Sequence, residues 1–546
     1  MKNVKPRLLL ITRLTSKHLL VVCFIFVMTV WTIRLASLYY GPTSTGLNGS
    51  LYTSDAVAQQ VILKDWQKGY RQSAVVGQDN WIIKYPLYIV TNNLPISANY
   101  RILTTSWLIL ATTAVLIMWS LQRFMSTIGS VGRRKKQLSL LALSAFIAAI
   151  PATTFFIFQF PNSRNIEIGL AMFLMVELHR FFVSKRIYQT HTYLKIAVAF
   201  LAFSLLLADD PLFLYEFGLP LLFIAATYFI FLPQASRWKV YVIGGFAGLS
   251  IIASKLITHA LTLLTPLSYI KPQTAFASFD QFIVNLKYLF NNAIDIFGID
   301  FWGKESFKLH TILVYVFIII FAVSVYGFIL QTRSYKNSII HGLSVTIGVA
   351  AVAIFCLNTL FGSGLDNLSG RYLIILIPVQ LFALSYALLK INNKRLNGFI
   401  VLCMVSAVML TVIFSVKTIA TNFHEPVNNI DQSVLSVIKK ANLSKGYAAY
   451  SRSTTLTYSS DFKVNVVSVE CGPQDKKMYF SPVLSEEGAL RQPVQKSFYL
   501  YDPTRPHDCQ AEDLEHLFGE PQQSIILPTK EVLNIYNYDI NTKIIR

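Results

Sequence analysis

Leu51-Tyr-Thr-Ser-Asp-Ala-Val-Ala-Gln-Gln60, followed by Trp81-Ile-Ile-Lys-Tyr-Pro-Leu-Tyr88, is the polar and aromatic heart of a stretch, Leu47 to Arg101, that separates two strongly apolar segments. Ser54 and Asp55 stand just before Ala58, Val61, Ile62 and Trp66. That spacing of three and four predicts a short amphipathic helix lying at a membrane surface. Asp55 falls at its start, where either Ser54 or Asp55 can cap a free backbone N–H. Capping alone would account for them. Asp55 stands out only because the rest of the chain puts more ionisable residues on the same side of the membrane.

The composition sets the class. Of 546 residues 53% are hydrophobic and 14% charged, with a mean hydropathy of +0.49. An apolar run of about 20 residues spans a bilayer as a helix. Such runs lie near 19–38, 102–122, 138–158, 167–183, 194–208, 211–232, 240–265, 310–330, 339–361, 372–389 and 396–417. The expected fold is therefore a mainly α, polytopic membrane helix bundle of about eleven spans. Residues 1–421 form this membrane domain, with an external loop at 41–101.

The net charge of +20 is unevenly placed. Basic residues gather at Lys2, Lys5, Arg7, Arg13 and Lys17, at Arg123 and Arg133-Arg-Lys-Lys136, and at Arg180, Lys185, Arg186 and Lys195. They recur at Arg237/Lys239, Arg333/Lys336 and Lys390/Lys394/Arg395. These are alternate connections, as the positive-inside rule requires of cytoplasmic segments. The charge orients the protein in a lipid bilayer, expected to be the plasma membrane of a cell envelope, and does not call for nucleic acid. An N-terminus inside and an odd number of spans put the C-terminus outside. The first span is long and lacks a small-residue exit near Tyr40, so it reads as an uncleaved anchor.

Several polar residues then fall on the external side. Arg164 and Glu167, three apart at the start of the fourth span, could share a helix face and pair; a helix-start Glu with a snorkelling Arg is the alternative. Asp209-Asp210-Pro211 forms so tight a connection that both carboxylates must sit at the membrane boundary. Such charges face a cavity or a partner, and two side by side need a cation or a raised pKa. Asp210 could also act only as a helix cap. Lys255 and His259 share a face in the outer half of the seventh span, either snorkelling among headgroups or gripping a lipid phosphate. Phe279, Phe282, Ile283, Leu286, Leu289, Phe290, Ile294 and Phe297 predict a second interfacial helix. Arg371 heads the tenth span. Glu177, His179 and Arg180 lie at the cytoplasmic end of the fourth and read as interfacial anchors.

From about residue 422 the composition becomes that of a soluble domain. Short β-type runs alternate with helical ones at Asp431–Ala441 and Ala511–Phe518, so 422–546 is expected to be a small external α/β domain. Cys23, Cys356 and Cys403 lie in spans, whereas Cys471 and Cys509 lie outside, where an oxidising compartment favours a disulfide. No C-x-x-C spacing, Walker loop or GxSxG occurs, which removes ATP-driven transport and serine hydrolysis.

Ser54-Asp55, Arg164-Asn-Ile-Glu167, Asp209-Asp210-Pro and Gly370-Arg-Tyr-Leu-Ile-Ile-Leu-Ile-Pro378, in this topology, resemble the GT-C superfamily of membrane glycosyltransferases, which includes the protein O-mannosyltransferases and aminoarabinose transferases. The resemblance covers roughly residues 19 to 420 and lies in placement more than in sequence. Family members commonly carry an acidic pair in the first loop; here Asp55 is followed by Ala56. The resemblance implies transfer of a sugar from a polyprenyl-phosphate donor to a glycan, lipid or protein acceptor. Arg371, Lys255 and Arg164 would hold the donor phosphate as negative charge develops there. Asp55 would take the acceptor's proton. Asp209, Asp210 and Glu167 would position the acceptor, or the two aspartates would hold magnesium or calcium through hard oxygen ligands. A transporter or flippase of a lipid-linked sugar needs the same grip but no carboxylate for turnover; the internal hydropathy repeat common in transporters is not seen. An assembly or receptor protein built around the external domain has only that domain in its favour.

Overall fold

The structure, a computed structural model, describes residues 16–40, 54–67, 74–76, 82–128, 131–161, 163–183, 190–231, 237–264, 267–269, 276–302, 305, 308–333, 339–360, 369–422, 429–472, 475, 477–481, 490, 492–505 and 508–545. Lys2, Lys5, Arg7, Arg13, Lys185, Arg186 and Lys336 lie outside the described residues, as does the side chain of Asp55.

Among the described residues each of the eleven apolar segments carries an α-helix over most of its length. In chain order the membrane part runs α1 (Ser16–Tyr39), α2 (Ser54–Gln67), α3 (Tyr85–Asn92), α4 (Ala98–Thr127), α5 (Arg133–Ala149), α6 (Ala152–Gln159), α7 (Ile166–Val183), α8 (Thr190–Asp209), α9 (Leu219–Phe231), α10 (Arg237–Leu264), α11 (Phe279–Phe297), α12 (Leu309–Arg333), α13 (Ile339–Leu360), α14 (Leu376–Lys390) and α15 (Lys394–Asn422). By length and composition six of these can cross a membrane unaided, or seven if the bent pair α5–α6 counts as one. The expected straight span at 138–158 is instead broken by 82°. The cause is Pro151, which has no N–H to offer the carbonyl of Ile147. Trp31 Nε1 donates to that carbonyl at 3.0 Å. Arg34 Nη1 donates to the carbonyls of Ala148 and Ile150 at 3.3 and 2.8 Å. The break is thus stapled from α1.

Small residues let two helices approach. A Cβ on Gly327 of α12 would lie 2.1 Å from the carbonyl oxygen of Ala383 and 2.9 Å from Cβ of Ala387, both on α14. Helix α11 begins with Ser278 Oγ accepting from the backbone N–H of Gln281 and ends at Gly298, φ 69°. Its polar Asn285 and Asn292 are buried, while Phe279, Ile283 and Phe290 are exposed. The stripe is therefore divided: Phe279, Ile283 and Phe290 face outward, as they would toward lipid, while Leu289 and Phe297 pack against the bundle core.

After α15 come α16 (Asn429–Lys440), β3 (Lys445–Ala448), α17 (Tyr450–Ser459), β4 (Asn465–Cys471), β5 (Met478–Phe480), β6 (Ser497–Tyr501), α18 (Ala511–Phe518), β7 (Gln523–Ile526) and β8 (Val532–Tyr536); β1 (Ala74–Val76) and β2 (Leu267–Tyr269) form a separate parallel pair. The six strands are ordered β5-β4-β3-β6-β8-β7. β3 lies parallel to β4 and β6, and the remaining pairs are antiparallel. Alternate residues feed two cores. Tyr447 and Tyr499 face one with Leu514 and Phe518; Ala448, Phe498 and Leu500 face the other with Val434, Ile438 and Leu456. Cys471 and Cys509 are joined by a disulfide with their Cα atoms 5.1 Å apart.

Candidate functional site

Helix α2, with Asp55 in its first turn, does not lie on a surface. Val57, Ala58, Gln59, Gln60, Val61, Ile62 and Leu63 are all buried, leaving no solvent-facing side along that run. The face that would have met water is covered by α17 of the C-terminal domain. Val57 and Val61 share a core with Phe156, Phe160, Tyr458 and Phe462, and Tyr450 packs against the cluster of Ala58, Ile62 and Trp66. Tyr458 donates to Gln60 Oε1 at 3.2 Å, and Asn92 Nδ2 donates to the backbone carbonyl of Gln60 at 2.9 Å. Asp461 and Phe462, which follow α17, have φ of 55° and 59°. A bulky residue in that region is strained, and the strain is held by Arg101, which bonds Asp461 at 3.3 Å and lies over the Tyr458 and Phe462 rings.

The segment ahead of α3 meets the ends of α7 and α8. Asp209 Oδ1 accepts from the backbone N–H groups of Ile82 and Ile83 at 2.5 and 3.2 Å. This fixes the turn that delivers Lys84, whose side chain is wholly buried. Lys84 Nζ lies 3.1 Å from Glu167 Oε1 and also donates to the carbonyl of Ser163. Tyr88, one turn on, donates to the carbonyl of Pro161 at 2.9 Å. Burial, with Glu167 and Asp209 nearby, pushes its phenol well above the usual range and keeps it a neutral donor.

Arg164 and Glu167 do not pair. Helix α7 begins only at Ile166, so Arg164 lies ahead of it and turns the other way. Its guanidinium is paired with Asp210 through Nε and through Nη2 at 3.2 Å, and with both oxygens of Glu216 at 3.1 and 3.2 Å. Glu167 instead takes Lys84 and the backbone N–H of Asn165, at 2.9 Å. Glu216 owes its place to a π-helical turn, Leu214–Gly218, that leads into α9; such turns often mark functional positions. Arg371, ahead of α14, bonds the Tyr372 hydroxyl at 3.3 Å, and the Tyr372 ring also lies 5.6 Å from the Arg164 guanidinium.

Six fully or almost fully buried ionisable side chains thus stand together: Lys84, Arg164, Glu167, Asp209, Asp210 and Glu216. Four are acids and two are bases, so negative charge exceeds positive unless Arg371, a ligand or protons redress it. Asp209 Oδ2 is buried with no hydrogen-bond partner among the described residues. A buried, unpaired carboxylate oxygen is costly, and such costs concentrate where a ligand is met.

Of the residues the sequence singles out, the fold gathers Arg164, Glu167, Asp209 and Asp210, and Arg371 faces the Tyr372 ring that Arg164 also faces. Lys255 is exposed on α10 and, among the described residues, makes no contact with this group. Lys84 and Glu216 escape the reading, although each is a charge inside an otherwise apolar run, which is itself a signal. A metal shared by Asp209 and Asp210 does not fit this donor set. Asp209 is held by backbone N–H groups and Asp210 by Arg164, and among the described residues no cluster of three or more His, Cys, Asp or Glu is disposed to hold an ion.

No family model and no curated protein matches the chain. Among solved structures it is similar to ArnT from Cupriavidus metallidurans in the apo state, with a TM-score of 0.54 and 11% identity over 95% of this chain and 98% of that one. The chain therefore has an ArnT-like fold, membrane helices and C-terminal domain together, in agreement with the GT-C resemblance of its sequence.

Proposed function

We propose that this chain is a GT-C-type membrane glycosyltransferase, moving a sugar from a polyprenyl-phosphate donor to an acceptor on the outer face of the membrane. The observation that carries the reading is the buried group of four acids and two bases, set where the first-loop segment meets the ends of α7 and α8, in a chain with an ArnT-like fold. In this reading there are eleven crossings, a cytoplasmic N-terminus and an external C-terminal domain. Asp55 accepts the proton of the acceptor hydroxyl as that oxygen bonds the anomeric carbon and the bond to the donor phosphate breaks. Negative charge then grows on the departing phosphate. Arg371 is the cation best placed to meet it, because Arg164 is already committed to two carboxylates, Lys84 to Glu167, and Lys255 stands apart. Asp209 and Asp210 orient the acceptor side.

The test is transfer of label from radiolabelled polyprenyl-phosphate sugars in membranes containing the protein. Wild type should move label off the lipid, and Asp55→Asn should lose about 10²- to 10⁴-fold in rate while keeping fold and donor binding, because it removes a general base of similar shape. Label that crosses the bilayer yet stays on its lipid, unaffected by Asp55→Asn, would make the protein a flippase.

A further inference from the structure

Apart from the ionic group, another buried cation, Arg34, stands in a different place. A cavity of about 270 Å³ lies where α1, the α5–α6 break, α12 and α15 converge, and its lining includes Arg34, Phe155, Leu313, Phe317, Phe414 and Ser415. None of the six residues of the ionic group lines it. Arg34 is only 6% exposed. Its guanidinium rests 4.0 Å above the Phe155 ring, and Nη1 serves the two carbonyls at the Pro151 break. For Nε and Nη2 no hydrogen-bond partner is found, and no carboxylate pairs with Arg34, among the described residues.

Two carbonyl acceptors need only a neutral donor. An arginine is always charged, and holding that charge within a membrane helix is expensive unless something anionic meets it. Carbonyl dipoles and the Phe155 face offset part of the cost. Two unused donors in a largely aromatic and aliphatic chamber suit a ligand with an anionic head and an apolar body. We propose that this cavity is a site for an anionic phospholipid, with Arg34 Nε and Nη2 on the phosphodiester and an acyl chain along Phe155, Leu313, Phe317 and Phe414. The lipid bridges α1 to α12 and α15 and fills a void that would otherwise lack packing partners.

The test uses the purified full-length protein, delipidated in detergent, with phosphatidylglycerol, diacylglycerol of the same acyl chains, a polyprenyl phosphate and inorganic phosphate added separately; binding is read by native mass spectrometry and by the shift in melting temperature. Phosphatidylglycerol should bind at least about tenfold more tightly than diacylglycerol, which lacks the phosphodiester and so the charge-assisted contact. Arg34→Gln, which can still reach the carbonyls, should erase that preference and leave diacylglycerol binding unchanged. Leu313→Trp, which fills the chamber and keeps Arg34, should weaken phosphatidylglycerol binding by a similar factor, so the proposal stays testable if the Arg34 variant does not fold. Equal affinity for the two lipids, an undiminished preference in Arg34→Gln, unchanged phosphatidylglycerol affinity in Leu313→Trp, or a response to polyprenyl phosphate or inorganic phosphate in place of phosphatidylglycerol would overturn it.

Discussion

Lys84 and Glu167 are each fully buried at the side chain and depend on one another. Removing one member of such a pair strands the other charge, which typically costs about 3–5 kcal/mol, whereas replacing both by apolar groups can be nearly neutral. Lys84→Met should therefore lower the melting temperature sharply, and adding Glu167→Leu should restore more than half of the loss. A double variant no more stable than the single would show that the pair is not the unit of stability. The same residues explain what could be read from the sequence. Asp209 and Asp210 declare themselves by adjacency at a membrane boundary. Lys84 does not, because one lysine beside Tyr85 and Pro86 looks like any interfacial anchor until Asp209, 125 positions on, is seen to hold its turn.

Among the elements, the apolar segments were legible because burial in lipid leaves a long, one-sided signal. What cannot be read from apolar runs is how they meet. The bend at Pro151 needs Trp31 and Arg34 from a distant helix to satisfy its open carbonyls, and α2 looks amphipathic only while its second covering surface is unknown. That surface, α17, is Ser- and Thr-rich, with no apolar stripe to announce a helix. Packing between α12 and α14 supplies a sharper test. Gly327→Ala would drive a methyl into the Ala383 carbonyl, so the helices must separate, at a cost of about 1–3 kcal/mol by analogy with overpacked cores. The variant should melt lower than wild type, and an unchanged melting temperature would place the helices farther apart than described.

Across the whole molecule, the C-terminal domain supplies part of the environment of α2. Tyr458→Ala removes a ring from the Val57–Val61 core and a donor to Gln60. If Asp55 is the base, this variant should lower transfer at least about tenfold, in line with the sensitivity of catalysis to small misplacements, while circular dichroism remains that of a folded protein. Unchanged transfer would separate the domain from the reaction. The domain also has a pH signature. Burial and the hydrogen bond to Asp539 raise the phenol of Tyr447, burial and Asp508 raise that of Tyr499, and burial pushes Tyr536 up to about 12. Each holds its proton more firmly folded than unfolded, so its stabilisation is complete below about pH 10 and is lost as pH rises through the folded value. Absorbance of tyrosinate should lag in the folded protein and appear with unfolding between about pH 10 and 12; smooth titration near pH 10 with the fold intact would contradict the burial.

The contact between Gln60 and Tyr458 joins residues 398 positions apart. During synthesis the first loop emerges long before α17 exists, so α2 must wait, with much of its apolar surface uncovered, until nearly all the bundle has been inserted and the domain has closed over it. The packing around Asp55 is consequently among the last parts of the molecule to be completed, and a released chain truncated just before Tyr450 should hold every membrane helix yet leave uncovered the side of Val57 and Val61 that meets Tyr458 and Phe462.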